Sequence, residues 1–155
     1  MTSIPSSTAV PAHVAGATGR VGRHVVDVLK AGEHDVVAMS RSSGVDVVTG
    51  DGLAEALAGL ECVIDVATGS SPDQQAATEF FTAAARNLHE AGARAGVRRM
   101  VVVSIIGIDR FTAGYSAAKV AHEQAMLSGS RYVYCARRSS TSSSRSSWSG
   151  AGRAR

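Results

Sequence analysis

Three glycines spaced three apart, Gly16, Gly19 and Gly22, stand between a short apolar run ending at Val14-Ala15 and a stretch that repeats at helical period. Residues of this type at this spacing suit phosphate binding. Glycine carries no Cβ and tolerates positive φ, so the chain can turn tightly and let a phosphate lie against its backbone. A helix that follows directly points its free N–H groups and the positive end of its dipole at the same phosphate. Much later, Tyr115 and Lys119 lie four apart, a spacing that puts a phenol and an ammonium on one helix face. A glycine trio also serves ordinary turns, and a Tyr/Lys pair at this spacing is weak alone. Their weight comes from their order along the chain.

The GxxGxxG spacing with Thr18 inside, followed far downstream by Tyr115-Ser-Ala-Ala-Lys119, resembles the short-chain dehydrogenase/reductase superfamily. Within it, the chain is most similar to the atypical, NmrA-like NAD(P)-binding branch. The resemblance runs from about Val14 to Leu127. It implies a nicotinamide dinucleotide cofactor and a small carbonyl or quinone-like substrate. Ser104, Tyr115 and Lys119 match the superfamily's order of catalytic residues. By that resemblance Tyr115 gives or takes a proton beside the carbonyl carbon that receives hydride. Lys119 lowers the phenol's pKa by its charge and holds the nicotinamide ribose, while Ser104 hydrogen-bonds the substrate oxygen. Non-catalytic NmrA-like members allow another role, in which Tyr115 only packs and Lys119 only binds ribose.

The cofactor-binding residues follow the same pattern: Gly16, Thr18, Gly19, Arg20, Val21 and Gly22 in the loop, then three later segments. Ser40-Arg41-Ser42 ends the second predicted strand, where an acidic residue would bind the two ribose hydroxyls of NAD. None stands there. Arg41, assisted by Arg20, could instead pair with a 2′-phosphate, so NADP(H) is expected over NAD(H). Both arginines read equally well as solvated surface residues. Asp51 resembles the family aspartate near the adenine and fits as well as a helix N-cap. Ala67-Thr68-Gly69 follows a strand at the carboxyl edge of the sheet, where the cofactor crosses; an ordinary loop would explain that glycine too.

The elements that must position these residues alternate. After the glycine loop, Val21, Val25, Val28 and Leu29 form one stripe of a helix that leaves Arg23, Asp27 and Lys30 to water and stops near Gly32. Asp35–Ser40 reads as a second strand and Val45–Val48 as a short third. A brief helix through Leu53 and Leu57 leads to a fourth strand, Cys62–Ala67. Ser71-Pro72 opens a long alanine-rich helix with Ala77, Phe80, Phe81, Ala84 and Leu88 toward the sheet. Met100–Ile106 is a fifth strand, apolar on both faces as a buried parallel strand should be, and Tyr115–Leu127 a further helix. Strands alternating with helices predict an α/β fold: a doubly wound parallel sheet, Rossmann-like. Pro11 and His13 make the first strand its weakest part, since proline cannot donate to a central ladder.

The ends differ. Residues 1–11 are Ser/Thr/Pro-rich and expected to be disordered, which leaves 12–134 as the NAD(P)-binding domain. Residues 135–155 carry five arginines, no acid and no periodicity, and are expected to form a disordered Ser/Arg-rich tail in which Trp148 stands alone. Without them the chain has 11 basic and 13 acidic residues, so its net charge of +3 belongs to the tail. That excludes a basic stripe for specific nucleic-acid binding. The tail also suggests a shifted reading frame after about Ser130. GC-rich codons compatible with Ser130–Ser143, read in another frame, give Pro-Val-Arg-Val-Leu-Arg-Ala-Ala-Gln-Phe-His-Glu-Phe, similar to the strand and motif this family carries there. On that reading the chain lacks its last strand and the substrate segments, and Met100–Ile106 offers an exposed edge for self-association. No run is long and apolar enough to span a membrane, and no signal peptide is evident at Met1–Val10. Cys62 and Cys135 make no disulfide framework, which fits a cytoplasmic location. His24, His34, His89 and His122 show no metal-binding spacing and are expected at the surface. Three functions remain open from sequence: an NAD(P)H-dependent oxidoreductase, a dinucleotide-sensing protein that transfers no hydride, or an inactive fragment of either.

Overall fold

The computed structural model describes residues 11–105, 107–129 and 133–138. Their order is β1 (Ala12–Ala15), α1 (Arg20–Ala31), β2 (Val36–Met39), α2 (Leu53–Leu57), β3 (Cys62–Asp65), α3 (Gln74–Ala95), β4 (Arg99–Ile105), α4 (Gly114–Gly129) and β5 (Val133–Arg138). Short 3₁₀ turns occupy Arg41–Ser43 and Ile108–Arg110. All strand pairs are parallel and the sheet runs β2-β1-β3-β4-β5. After β2 the chain crosses back over β1 to reach β3. The carboxyl ends of β1 and β3 therefore flank a topological switch point, the place where open α/β sheets take ligands.

Period-2 alternation sorts the strand side chains onto two faces. On one, Val14, Val36, Ile64 and Val103 pack with Val21, Val25, Val26 and Leu29 of α1. On the other, Ala15, Met39, Val63, Met100 and Val102 pack with α2, α3 and Met126 of α4. Helices thus cover both faces, as the doubly wound reading requires. The α1 stripe is turned from the one expected: Val26 is buried, whereas Val28 is 56% exposed.

β1 is an interior strand of the sheet. Pro11 precedes the ladder, and Ala12–Ala15 pair with β2 on one side and β3 on the other. His13 is buried there; desolvation lowers its pKa, against the opposing charge of Asp35 and a backbone bond at Ala56.

Three expectations are corrected. Val45–Val48 forms no strand: Asp46 Oδ1 accepts from the N–H groups of Val48 and Thr49, and the Asn87 amide donates to the carbonyls of Val47 and Val48. Those side chains take the groups a ladder would need. The long helix starts at Gln74, not at Ser71-Pro72, because Asp73 is its N-cap and accepts from Ala76 N–H at 2.9 Å. Finally, a further strand follows β4. Met100 through Ile105 pair in register with Val133 through Arg138, so Cys135–Arg138 belong to the sheet and not to a tail. β4 is consequently an inner strand, which removes the exposed edge on which self-association was expected; among the described residues the sheet edges are β2 and β5. Expectations for residues 1–10 and 139–155 lie outside the described residues.

Candidate functional site

The site has two parts. The first is the turn after β1. Gly16 adopts φ +78°, and a Cβ there would come within 2.6 Å of Ala67 Cα, so only glycine lets this loop lie against the segment that follows β3. A Cβ on Gly22 would overlap the carbonyl oxygen of Gly16, which explains how α1 packs so near the end of β1. Gly19 is the N-cap of α1 and offers no side-chain hydrogen bond, and the first turn holds no acidic residue. The first N–H groups of a 12-residue helix are thereby left for an anion. This glycine-lined cradle fits a dinucleotide pyrophosphate. Thr18, Gly19 and Arg20 are exposed, and Val21 is half-buried.

Neighbouring loops converge on the cradle. Gly16 and Ala17 N–H both donate to Met39 O, tying the loop to the end of β2 and hence to Ser40 and Arg41. The Ser40 and Ser42 hydroxyls share a 2.7 Å bond, and Ser43 Oγ donates to Ser40 O, so the turn is held by its own serines. Arg41 projects from it, exposed. The segment 44–52 is stitched to this turn through Val45 N–H to Ser40 O, and its own ends meet through Asp46 N–H to Asp51 O. Asp51 does not cap α2; that N-cap is Gly52, and Asp51 Oδ2 accepts from Thr49 Oγ1 at 2.8 Å.

The second part is built around Phe81 of α3, which is 1% exposed. The His122 ring stacks on it at 4.5 Å with 16° between planes, and Tyr115 meets it edge-on at 5.8 Å. Lys119 Nζ lies 4.5 Å above the ring centroid, a cation–π contact. Lys119 Nζ is also 3.0 Å from His122 Nδ1, and His122 Nε2 is 3.0 Å from Asp65 Oδ2. Asp65 Oδ1 accepts from Ala67 N–H at 2.9 Å. The structure thus brings Tyr115 and Lys119 together and connects them, through Asp65, to Ala67-Thr68-Gly69. Thr68 is exposed, and Gly69 lies against the Phe80 ring. Ser104 is buried near the end of β4 with its hydroxyl unpartnered, so no hydrogen bond joins it to Tyr115.

Two expectations fail here. Tyr115 has its pKa raised, by burial, rather than lowered by the lysine. His122 is not at the surface but fully buried, and the ring nitrogens of His89 are buried as well. Sequence reasoning missed Phe81, His122 and Asp65 as site residues. The signals were a lone acid in the apolar run Cys62–Val66 and a histidine three residues past Lys119 on the same helix face. Among the described residues no group of His, Cys, Asp and Glu could hold a metal ion, and no helix is long and apolar enough to cross a membrane.

With the cradle and the Tyr/Lys pair at the end of one parallel sheet, comparison with known proteins is decisive. A family model described as NAD(P)H-binding matches residues 16–140. The chain belongs to this family. No curated protein matches it in sequence. Among solved structures, dTDP-4-dehydrorhamnose reductase from Bacillus anthracis, in complex with NADP, is 18% identical with a TM-score of 0.71, over 86% of this chain and 54% of that one. MoeE5 in complex with UDP-glucose and NAD is 23% identical, TM-score 0.70, over 82% and 53%. A short-chain dehydrogenase/reductase superfamily protein from Agrobacterium tumefaciens with bound NAD is 25% identical, TM-score 0.63, over 82% and 48%. The fold and family bear out the short-chain dehydrogenase/reductase resemblance. This NAD(P)H-binding chain spans about half the length of the solved structures it matches.

Proposed function

We propose that this chain is the dinucleotide-binding unit of an NAD(P)H-dependent oxidoreductase, NmrA-like within its superfamily, that acts on a small carbonyl or quinone-like substrate. The observation that carries the reading is the Phe81 cluster: it sets a phenol and an ammonium side by side, linked to the loop that follows β3. Gly16, Gly19 and Gly22 with Thr18, Arg20 and Val21 would hold the pyrophosphate. Arg41 beside Ser40 would pair with a 2′-phosphate, and Asp51 would lie toward the adenine. Lys119 would hold the nicotinamide ribose, and Ala67, Thr68 and Gly69 would line the crossing. Bound there, the dinucleotide would supply hydride. Tyr115 would give a proton to the substrate oxygen; burial raises its pKa and so holds the proton on the phenol. Ser104, buried with a spare hydroxyl, has hydrogen bonds to offer that same oxygen.

The reductase named among the solved structures supports reduction as the reaction class. The test is calorimetric titration of the 155-residue chain with NADPH and NADH, followed by assay of NADPH oxidation against aldehydes, ketones and quinones. Binding with turnover that is lost in Tyr115→Phe is the expected result. Binding without turnover supports the dinucleotide-sensing reading, in which Lys119 only holds ribose, or an inactive fragment. Absence of binding overturns both.

A further inference from the structure

The Asp65–His122–Lys119 chain lies wholly inside the protein, with exposures of 1%, 0% and 5%. It joins two elements 57 residues apart, and the YxxxK motif does not account for it. A buried polar chain persists only when its members satisfy one another. Carboxylate oxygens only accept, so the ring proton of His122 sits on Nε2, facing Asp65 Oδ2. Nδ1 then presents its lone pair, which accepts from the Lys119 ammonium. At the other end, Asp65 Oδ1 accepts from Ala67 N–H, and Ala67 is the residue against which Gly16 is packed. One continuous path therefore runs from the glycine cradle through Ala67, Asp65 and His122 to Lys119. Stacking on Phe81 fixes the plane of the imidazole along that path.

We propose that Asp65 and His122 are positioning residues that hold the Lys119 ammonium in register with the dinucleotide cradle. This rests on the reading of Lys119 as a ribose-binding group. A lysine on a flexible four-carbon stem loses much rotamer freedom when it binds. The pair removes that freedom beforehand, which is preorganisation. His122 matters here for its tautomer, which Asp65 dictates, and not for its charge.

Nitrogen-15 NMR of the unliganded 155-residue chain, labelled at histidine, reads the tautomer directly. A neutral His122 ring protonated at Nε2 is expected; an Nδ1-protonated ring or an imidazolium at neutral pH overturns the proposal. Calorimetry with NADPH then follows His122→Phe, which keeps a flat ring on Phe81 and removes both nitrogens, and Asp65→Asn. Each should weaken binding about tenfold, the scale of one charge-assisted hydrogen bond. The double variant should weaken it no further than the worse single one, and in a Lys119→Met background His122→Phe should have no effect on affinity. Additive losses, or an undiminished loss in Lys119→Met, would mean that His122 is only structural. A wild-type chain that binds no NADPH would count against the proposed function, while the histidine spectrum would still decide the tautomer chain.

Discussion

The glycine cradle and the Phe81 cluster are made of different materials. The cradle is backbone: its shape depends on missing side chains at Gly16 and Gly22 and on N–H groups aimed outward. Residues within one short stretch supply most of it. The cluster is side chains: Asp65 from β3, Phe81 from α3, and Tyr115, Lys119 and His122 from α4 meet only because the sheet and two helices bring them there. A site of the first kind is fragile toward added atoms. One of the second kind is fragile toward removed ones.

The largest effect should come from removing the ring at the centre of the cluster. Phe81→Ala is expected to cost about 3–5 kcal/mol in urea unfolding, the range for a buried phenylalanine. A cost below about 1 kcal/mol would break the contrast, since the cluster would then be a loose surface and not a packed core. The opposite change probes the cradle. Gly22→Ala should cost about 1–3 kcal/mol through overlap with the Gly16 carbonyl and should abolish dinucleotide binding by calorimetry. Arg41→Ala sharpens the contrast further, because it touches neither packing nor backbone. We expect a loss of about 1–3 kcal/mol in NADPH affinity, with NADH affinity and melting temperature unchanged. Equal losses for both cofactors would remove the 2′-phosphate pairing.

The smallest effect is a slope with pH. Burial lowers the pKa of His13 in β1 and of His89 in α3, so both stay neutral in the folded chain while unfolded histidines take up protons. Stability should therefore hold above the unfolded value of about 6.5 and fall as pH drops through it toward the folded values. Thermal melts from pH 7.5 to 5.5 would show this, on the order of a few degrees. His13→Leu should flatten part of the fall, and an unchanged slope would show that His13 is not its source.

What was legible in the sequence divides along the same line. The cradle, the strand–helix alternation and the buried strand β4 were readable because each is local: a glycine spacing, a helical period, an apolar run. Val45–Val48 was not, because the Asx turn at Asp46 and the reach of Asn87 from 39 and 40 residues away decided it. β5 was missed because Val133–Arg138 runs directly into the Ser/Arg-rich end, whereas its pairing with β4 is a tertiary matter. Nor could periodicity along α4 tell that His122 faces a carboxylate on β3. Asp51 shows a subtler limit: the turn chemistry was recognised, but the cap fell one residue later, on Gly52.

Helix α3, at 22 residues, is about 33 Å of nearly inextensible rod. It is pinned at three stations. Gln74 Oε1 accepts from Gly114 N–H at the start of α4, Phe81 carries the aromatic stack, and Asn87 grips the carbonyls of Val47 and Val48 in the segment that bears Asp51. A rod fastened at three points works as a gauge block: the distances between its stations are set by helical rise and not by the loops it holds. The adenine end and the nicotinamide end of the proposed cofactor path are thereby measured off against one helix, and neither can be respaced without slipping a fastening.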